Sequence, residues 1–216
     1  MSERKTRSCI DCGTVNCNKM DKQFPEFCVT TGTVTEEDFA YVREKYAEEE
    51  NKKSMVAAAC VEYEGYCQLT RVQEIMDYAK RMGAKKLGIA TCVGLIRESR
   101  MLAKIFRAHG FEVYGVACKA GCIPKHEVGI PMECEELGRN ICNPILQAKL
   151  LNDAHTDLNV VVGLCVGHDS LFYKYSEALV TTAVTKDRVL GHNPAAALYT
   201  AEGYYKKKLF SEDSDD

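Results

Sequence analysis

The spacing of hydrophobic positions changes character along the chain. Residues 1–34 mix turn formers, polar residues and cysteines, with neither a helical nor a strand period. Thr35-Glu-Glu-Asp38 then opens a helix with a capping threonine and acids in its first turn, and Phe39, Val42, Tyr46 and Ala47 follow at helical spacing. A second helix is expected over about 54–63, stopped by Gly65. Thr70 and Gln73 make a capping box for a third, with Val72, Ile75, Met76 and Ala79 on one face and Gly83 as its stop.

Beyond that point short apolar runs alternate with helical stretches. Strands are expected at 87–91, 111–117, 158–164 and 179–185. Helices are expected at 95–109, 145–152, 169–176 and 195–207, with Pro144 in the favoured first-turn position of the second of these. Strands separated by helices imply a parallel sheet with right-handed crossovers. The long excursion between the second and third strands suggests a return to the far side of strand one. The expected fold is therefore α/β, a Rossmann-like parallel sheet of about four strands in the order 2-1-3-4 with helices on both faces. It is preceded by a small cysteine-rich module. The expected organisation is a cysteine-rich metal-binding module at 1–34, a helical lead-in and sheet domain at 35–210, and an acidic tail at 211–216.

Composition narrows the function classes. With 27% charged residues and a net charge of −3, the 216-residue chain reads neither as disordered nor as a basic nucleic-acid surface. Its longest apolar runs, 55–61 and 160–166, are too short to span a bilayer, and Met1-Ser-Glu-Arg-Lys5 leads into no apolar signal segment. Neither a nucleic-acid nor a membrane partner is expected, and a cytoplasmic location is. Twelve cysteines are too dilute for a disulfide scaffold at this length, and in a reducing compartment clustered thiols point to metal ligation or redox chemistry.

Two groups of cysteines stand out. Cys9, Cys12 and Cys17 follow a C-x2-C-x4-C pattern, and Cys28 can close a four-sulfur shell. The spacing reverses the plant-type iron–sulfur order and lacks the second knuckle of a usual zinc site, so an iron–sulfur cluster is favoured, with zinc as the alternative. The second group depends on the fold. Cys92, Cys118 and Cys165 each end a predicted strand, and Cys142 precedes the Asn143-Pro144 helix start. All four fall at the carboxyl edge of the sheet, where open α/β folds build their ligand sites. A shared metal or cluster site is the leading reading, against ordinary core packing and a thiol relay. Cys122 is a possible substitute ligand. Cys60 and Cys67 are read as ordinary residues, Cys60 packing within an apolar run, and Cys134 as exposed. Two [4Fe-4S] clusters are thus expected, one per group.

Other polar residues fall at the same edge. His168 could donate a proton beside a cluster or replace a thiol ligand, or it could simply sit exposed ahead of a helix capped by Asp169 or Ser170. Lys119 follows Cys118 directly, and Lys186 and Arg188 follow strand four. His168 and Lys119 are the candidate catalytic residues, and basic neighbours would balance thiolate charge or attract an anion. After Gly163 the next glycine is Gly167, so no dinucleotide-binding G-x-G-x-x-G is present.

The Cys9–Cys28 module, Ala90-Thr-Cys-Val-Gly-Leu95, Ala117-Cys-Lys119, Cys142-Asn-Pro-Ile145, Gly163-Leu-Cys-Val-Gly-His-Asp-Ser170 and Lys186-Asp-Arg-Val-Leu-Gly-His-Asn-Pro194 together resemble a domain-of-unknown-function family. It consists of cysteine-rich metal-binding proteins from anaerobic bacteria and archaea. The resemblance covers about residues 8–200 and implies cysteine-bound metal. The leading reading is an iron–sulfur protein serving electron transfer or small thiol or sulfur-compound chemistry, with a redox partner or a small sulfur-containing substrate. A zinc-stabilised non-enzymatic domain and a metal-free thiol oxidoreductase are the alternatives.

Overall fold

The computed structural model describes residues 7–210, so the acidic tail at 211–216 and the Met1–Lys5 segment lie outside the described residues. The chain divides into two compact units, and the division follows Val56.

The first unit carries a short 3-10 turn at Cys9–Asp11, the single-turn helices α1 (Asn16–Lys19) and α2 (Val29–Gly32), and α3 (Glu36–Ala47). Thr35 begins α3 with a reciprocal box: its hydroxyl accepts from the Asp38 amide at 3.2 Å, and its own amide donates to the Asp38 carboxylate at 2.9 Å. The apolar stripe of this helix is not buried, and Phe39, Val42 and Tyr46 remain exposed. The next helix, α4 (Glu49–Gly65), begins earlier than its hydrophobic pattern implies. Its first turns are Glu-Glu-Asn-Lys-Lys, which mixes strong helix formers with acids at the N-terminus but offers no apolar period to detect.

The second unit contains α5 (Arg71–Met82), β1 (Lys86–Thr91), α6 (Ile96–Ala108), β2 (Glu112–Ala117), α7 (Pro144–Asp153), β3 (Leu158–Val162), α8 (His168–Tyr175), β4 (Val180–Val184), α9 (Ala195–Tyr199) and α10 (Lys206–Leu209). The four strands form one sheet in the order β2-β1-β3-β4, as the strand and helix alternation implies, and all three pairings are parallel. β1 pairs on both sides, with Thr91 opposite Ala117 of β2 and Val162 of β3. Alternate β1 residues serve opposite faces. Leu87 and Ile89 pack with Val160 and Val162 against α5 and α6, where Phe106 is fully buried and meets Phe111 edge-on at 6.3 Å. Ala90 packs with Val116 and Val161 against α7 and α8. Each large side chain buried in this way contributes about 1.5–3 kcal/mol.

The β4 edge is blunted by side chains, since Arg71 donates to the Thr182 carbonyl at 3.2 Å and to the Thr181 hydroxyl at 2.9 Å. The helix expected over 195–207 is broken. Thr200 turns its hydroxyl back to the Ala196 carbonyl at 2.7 Å, Gly203 follows, and the chain turns through 200–205 before α10. Among the described residues no helix is long and apolar enough to cross a membrane.

One polar network lies inside the sheet. Asn159 of β3 is fully buried; its side chain accepts from the Thr156 hydroxyl and donates to the Ser176 hydroxyl, both at 2.8 Å. Gly88 faces it, and a Cβ there would stand 1.9 Å from Asn159 Oδ1. Gly88→Ala is therefore expected to lower the urea unfolding midpoint, with a stability loss of about 1–3 kcal/mol. Gly115→Ala on the edge strand, where a Cβ would come no closer than 3.7 Å to Ile89, should leave it nearly unchanged.

Candidate functional site

In the first unit Asn16 organises the cysteine loop. It is 2% exposed, and its amide side chain donates to the Lys22 carbonyl at 2.6 Å and accepts from the Lys22 amide at 2.8 Å. This clasp folds the segment after Cys17 back on itself. Val15, just before it, adopts a left-handed backbone at φ 47, costly for a β-branched residue. That turn presents the Val15 amide to Cys12. The Cys12 thiol is drawn below its usual pKa by the Thr14 hydroxyl, with the Val15 and Thr14 amides adding to it. Cys28 caps α2 and is lowered chiefly by the Thr31 amide. All four cysteines of this group, Cys9, Cys12, Cys17 and Cys28, line one cavity of about 160 Å³ walled by Phe24 and Phe27.

In the second unit the parallel strands deliver their ends to one edge. Cys92 extends β1, donating its amide to the Val162 carbonyl at 3.0 Å, and Cys118 extends β2, donating to the Thr91 carbonyl at 2.8 Å. The chain then makes its long excursion and returns, and the Asn143 amide donates to the Cys118 carbonyl at 2.7 Å. This fixes Cys142 beside Cys118. Asn143 caps α7 by accepting from the Leu146 amide at 3.1 Å. One turn on, the fully buried Gln147 donates to the Thr91 and Val116 carbonyls at 3.1 and 2.7 Å, which locks the start of α7 against the ends of both strands.

Three of the four edge cysteines act on one another. Cys118 interacts with both Cys92 and Cys142, and its sulfur accepts from the Val93 amide at 3.3 Å. Sharing its proton with two sulfurs raises Cys118 well above the ordinary thiol range. Cys92 falls to about 5, first through Cys118 and further through Lys186. Cys142 falls to about 3 through Cys118 and then His168, and the same contact raises His168. The three thiols therefore titrate as a set.

The remaining predicted residues fall into place around this trio. Cys165 lies on the same rim but accepts from Arg188 Nη2 at 3.0 Å instead of joining the other sulfurs. His168 is the first residue of α8, capped by Gly167 and not by Asp169 or Ser170; it is half-buried, and its Nδ1 has no hydrogen-bond partner among the described residues. Lys119 donates to the Asn140 carbonyl at 2.6 Å, tying down the excursion. Cys122, with φ 50, is exposed and turned to the Lys119 carbonyl, away from the trio. Cys134 is exposed, Cys60 is half-buried, and Cys67 is exposed in a left-handed turn. Among the described residues no group of three or more His, Cys, Asp or Glu side chains is set to hold a single metal ion as the side chains stand.

Gln147 and Asn16 escaped the sequence reading. A glutamine on the apolar face of a helix and an asparagine between two cysteines both look like ordinary polar residues until their partners are known.

Residues 29–183 match the family model described as protein of unknown function, DUF1847. The curated "Uncharacterized protein MJ0455" of Methanocaldococcus jannaschii is 44% identical over 195 residues, covering 90% of this chain and 98% of that protein. Among solved structures, Dph2 from Pyrococcus horikoshii with a 4Fe-4S cluster matches at 20% identity with a TM-score of 0.34, over 64% of this chain and 33% of that one. Another Dph2 structure from the same organism matches at 21% identity and a TM-score of 0.28, over 43% and 22% of the two chains. The chain thus spans a third or less of the Dph2 chains.

The depressed Cys142 predicts its reactivity in metal-free, reduced protein. A thiol with a pKa of about 3 is already thiolate throughout the neutral range, so iodoacetamide should alkylate Cys142 at a rate nearly constant from about pH 6 to 9. Cys118→Ala, which removes the main cause of the depression, should restore a rise toward alkaline pH, read by peptide mass spectrometry.

Proposed function

The chain belongs to the DUF1847 family of proteins of unknown function, and we propose that it is an iron–sulfur protein with two clusters. One is held by Cys9, Cys12, Cys17 and Cys28. The second is held at the carboxyl edge of the sheet by Cys92, Cys118 and Cys142, with Cys165 on the same rim. The observation that carries this reading is the cavity of about 160 Å³ lined by four cysteines from one short stretch of chain. A water occupies about 30 Å³ of liquid, so this space suits a group of several atoms better than one tetrahedral ion. The donor chemistry agrees, because the Val15, Thr14 and Thr31 amides directed at Cys12 and Cys28 are the kind of hydrogen bonds to sulfur that stabilise cluster thiolates.

A bound cluster supplies one-electron transfer and, at any iron lacking a protein ligand, a Lewis-acid position. The chain's own residues position the thiolates and balance their charge. His168, its pKa raised by Cys142, stands beside that sulfur, and Lys186 stands by Cys92. The partner is then a one-electron carrier or a small sulfur-containing compound. A metal-free thiol relay is the second reading, and the interaction of Cys118 with Cys92 and Cys142 favours it.

Metal and sulfide analysis of anaerobically purified protein separates these readings. Two four-iron clusters give about eight irons with matching sulfide per chain, and Cys12→Ala and Cys118→Ala should each remove about half. Zinc without sulfide overturns the iron–sulfur reading at the first site. Iron unchanged in Cys118→Ala overturns it at the second and leaves the thiol relay.

A further inference from the structure

Cys165 stands apart from its neighbours on the rim. Cys118 interacts with Cys92 and Cys142, whereas Cys165 is hydrogen-bonded to the Arg188 guanidinium at 3.0 Å. The loop that carries Cys165 is committed to another task, for its carbonyl accepts from the His168 and Asp169 amides at 2.9 and 3.1 Å and so starts α8.

Cations crowd the same rim. Gly163, at φ 60, leaves room for Leu95, which would lie 2.1 Å from a Cβ there, and the Lys186 Cε lies nearby, 3.5 Å from that position. Arg188 follows two residues after Lys186, and Lys119 follows Cys118. Among the described residues none of these three cations is ion-paired with a carboxylate. The nearest acids in sequence are occupied: Asp187 accepts from the Val189 and Leu190 amides at 2.9 and 2.8 Å, and Asp169 accepts from the Ser170 amide at 2.8 Å. A cluster core is itself cationic and cancels part of the charge of its thiolates. Three cysteine ligands therefore leave the rim with more positive charge than the centre needs.

We propose that Cys165 is not a cluster ligand, and that Arg188 and Lys186 beside it form a receiving site for a small sulfur-containing anion. The inference rests on the cluster reading for the role of Cys92, Cys118 and Cys142. The chemical class follows from the group already there. Arg188 holds a sulfur at hydrogen-bond distance, and a guanidinium with a neighbouring ammonium suits a compact anion such as a thiolate or a sulfur oxyanion.

The test uses anaerobically purified, cluster-loaded full-length protein and sulfite as the probe. Iron and sulfide should stay at the wild-type level in Cys165→Ala and Cys165→Ser but fall in Cys118→Ala. Titration calorimetry should show about one sulfite bound per chain, and Arg188→Gln and Lys186→Gln, with unchanged iron, should each weaken binding about tenfold or more. Loss of iron in both Cys165 variants to the extent seen in Cys118→Ala overturns the inference, as does sulfite binding that is absent or unchanged in Arg188→Gln. The two readings fail separately: iron-loaded protein without sulfite binding sinks only the receiving site. Iron-free wild type that still binds sulfite through Arg188 sinks the cluster and keeps the anion site.

Discussion

Parallel pairing of β1 with both β2 and β3 is the constraint on which the second unit depends. Because all strands run the same way, each carboxyl end emerges on the same edge, and residues tens of positions apart in sequence are forced together there. Both faces of β1 are covered after Lys86, so the rest of the strand is apolar or small, and Cys92 brings the first sulfur just past its end. The same geometry brings Cys118 alongside. Gln147 makes the arrangement stiff, since one buried amide bonds to the ends of two strands and fixes the helix that begins after Cys142.

Gathering sulfurs at a half-buried edge raises an electrostatic problem, because desolvation opposes thiolate formation. The structure answers with one shared proton on Cys118, an imidazole at Cys142, an ammonium at Cys92 and a guanidinium at Cys165. The N-terminal module answers differently. Its cysteines lie close to solvent, and backbone amides with threonine hydroxyls suffice to lower Cys12 and Cys28. The strained left-handed turn at Val15 is part of that solution, since it aims an amide at sulfur. One chain thus uses formal charges where water is excluded and peptide dipoles where it is not.

Local chemistry made much of this legible. The capping boxes at Thr35 and Thr70 are written in side chains three residues apart, and both helices begin where those boxes put them. The strand order followed from the long excursion between 117 and 144, which leaves the near side of β1 to β2. Where local signals were weak the outcome moved. The polar start of α4 carries no apolar period, and the end of the chain splits into α9 and α10 because Thr200 bonds backward and Gly203 breaks the helical run.

The sequence by itself determined which residues end strands, and parallel connection then required Cys92, Cys118, Cys142 and Cys165 to reach one edge, because backbone direction and side-chain period are local properties. Only the tertiary structure decided how those sulfurs divide, Cys118 interacting with Cys92 and Cys142 while Cys165 bonds Arg188. That choice depends on side-chain reach across elements and on the absence of a Cβ at Gly163, which admits Leu95. It likewise decided that Gln147 and Asn16 are structural anchors, since a buried amide is recognisable only by the carbonyls and amides it meets.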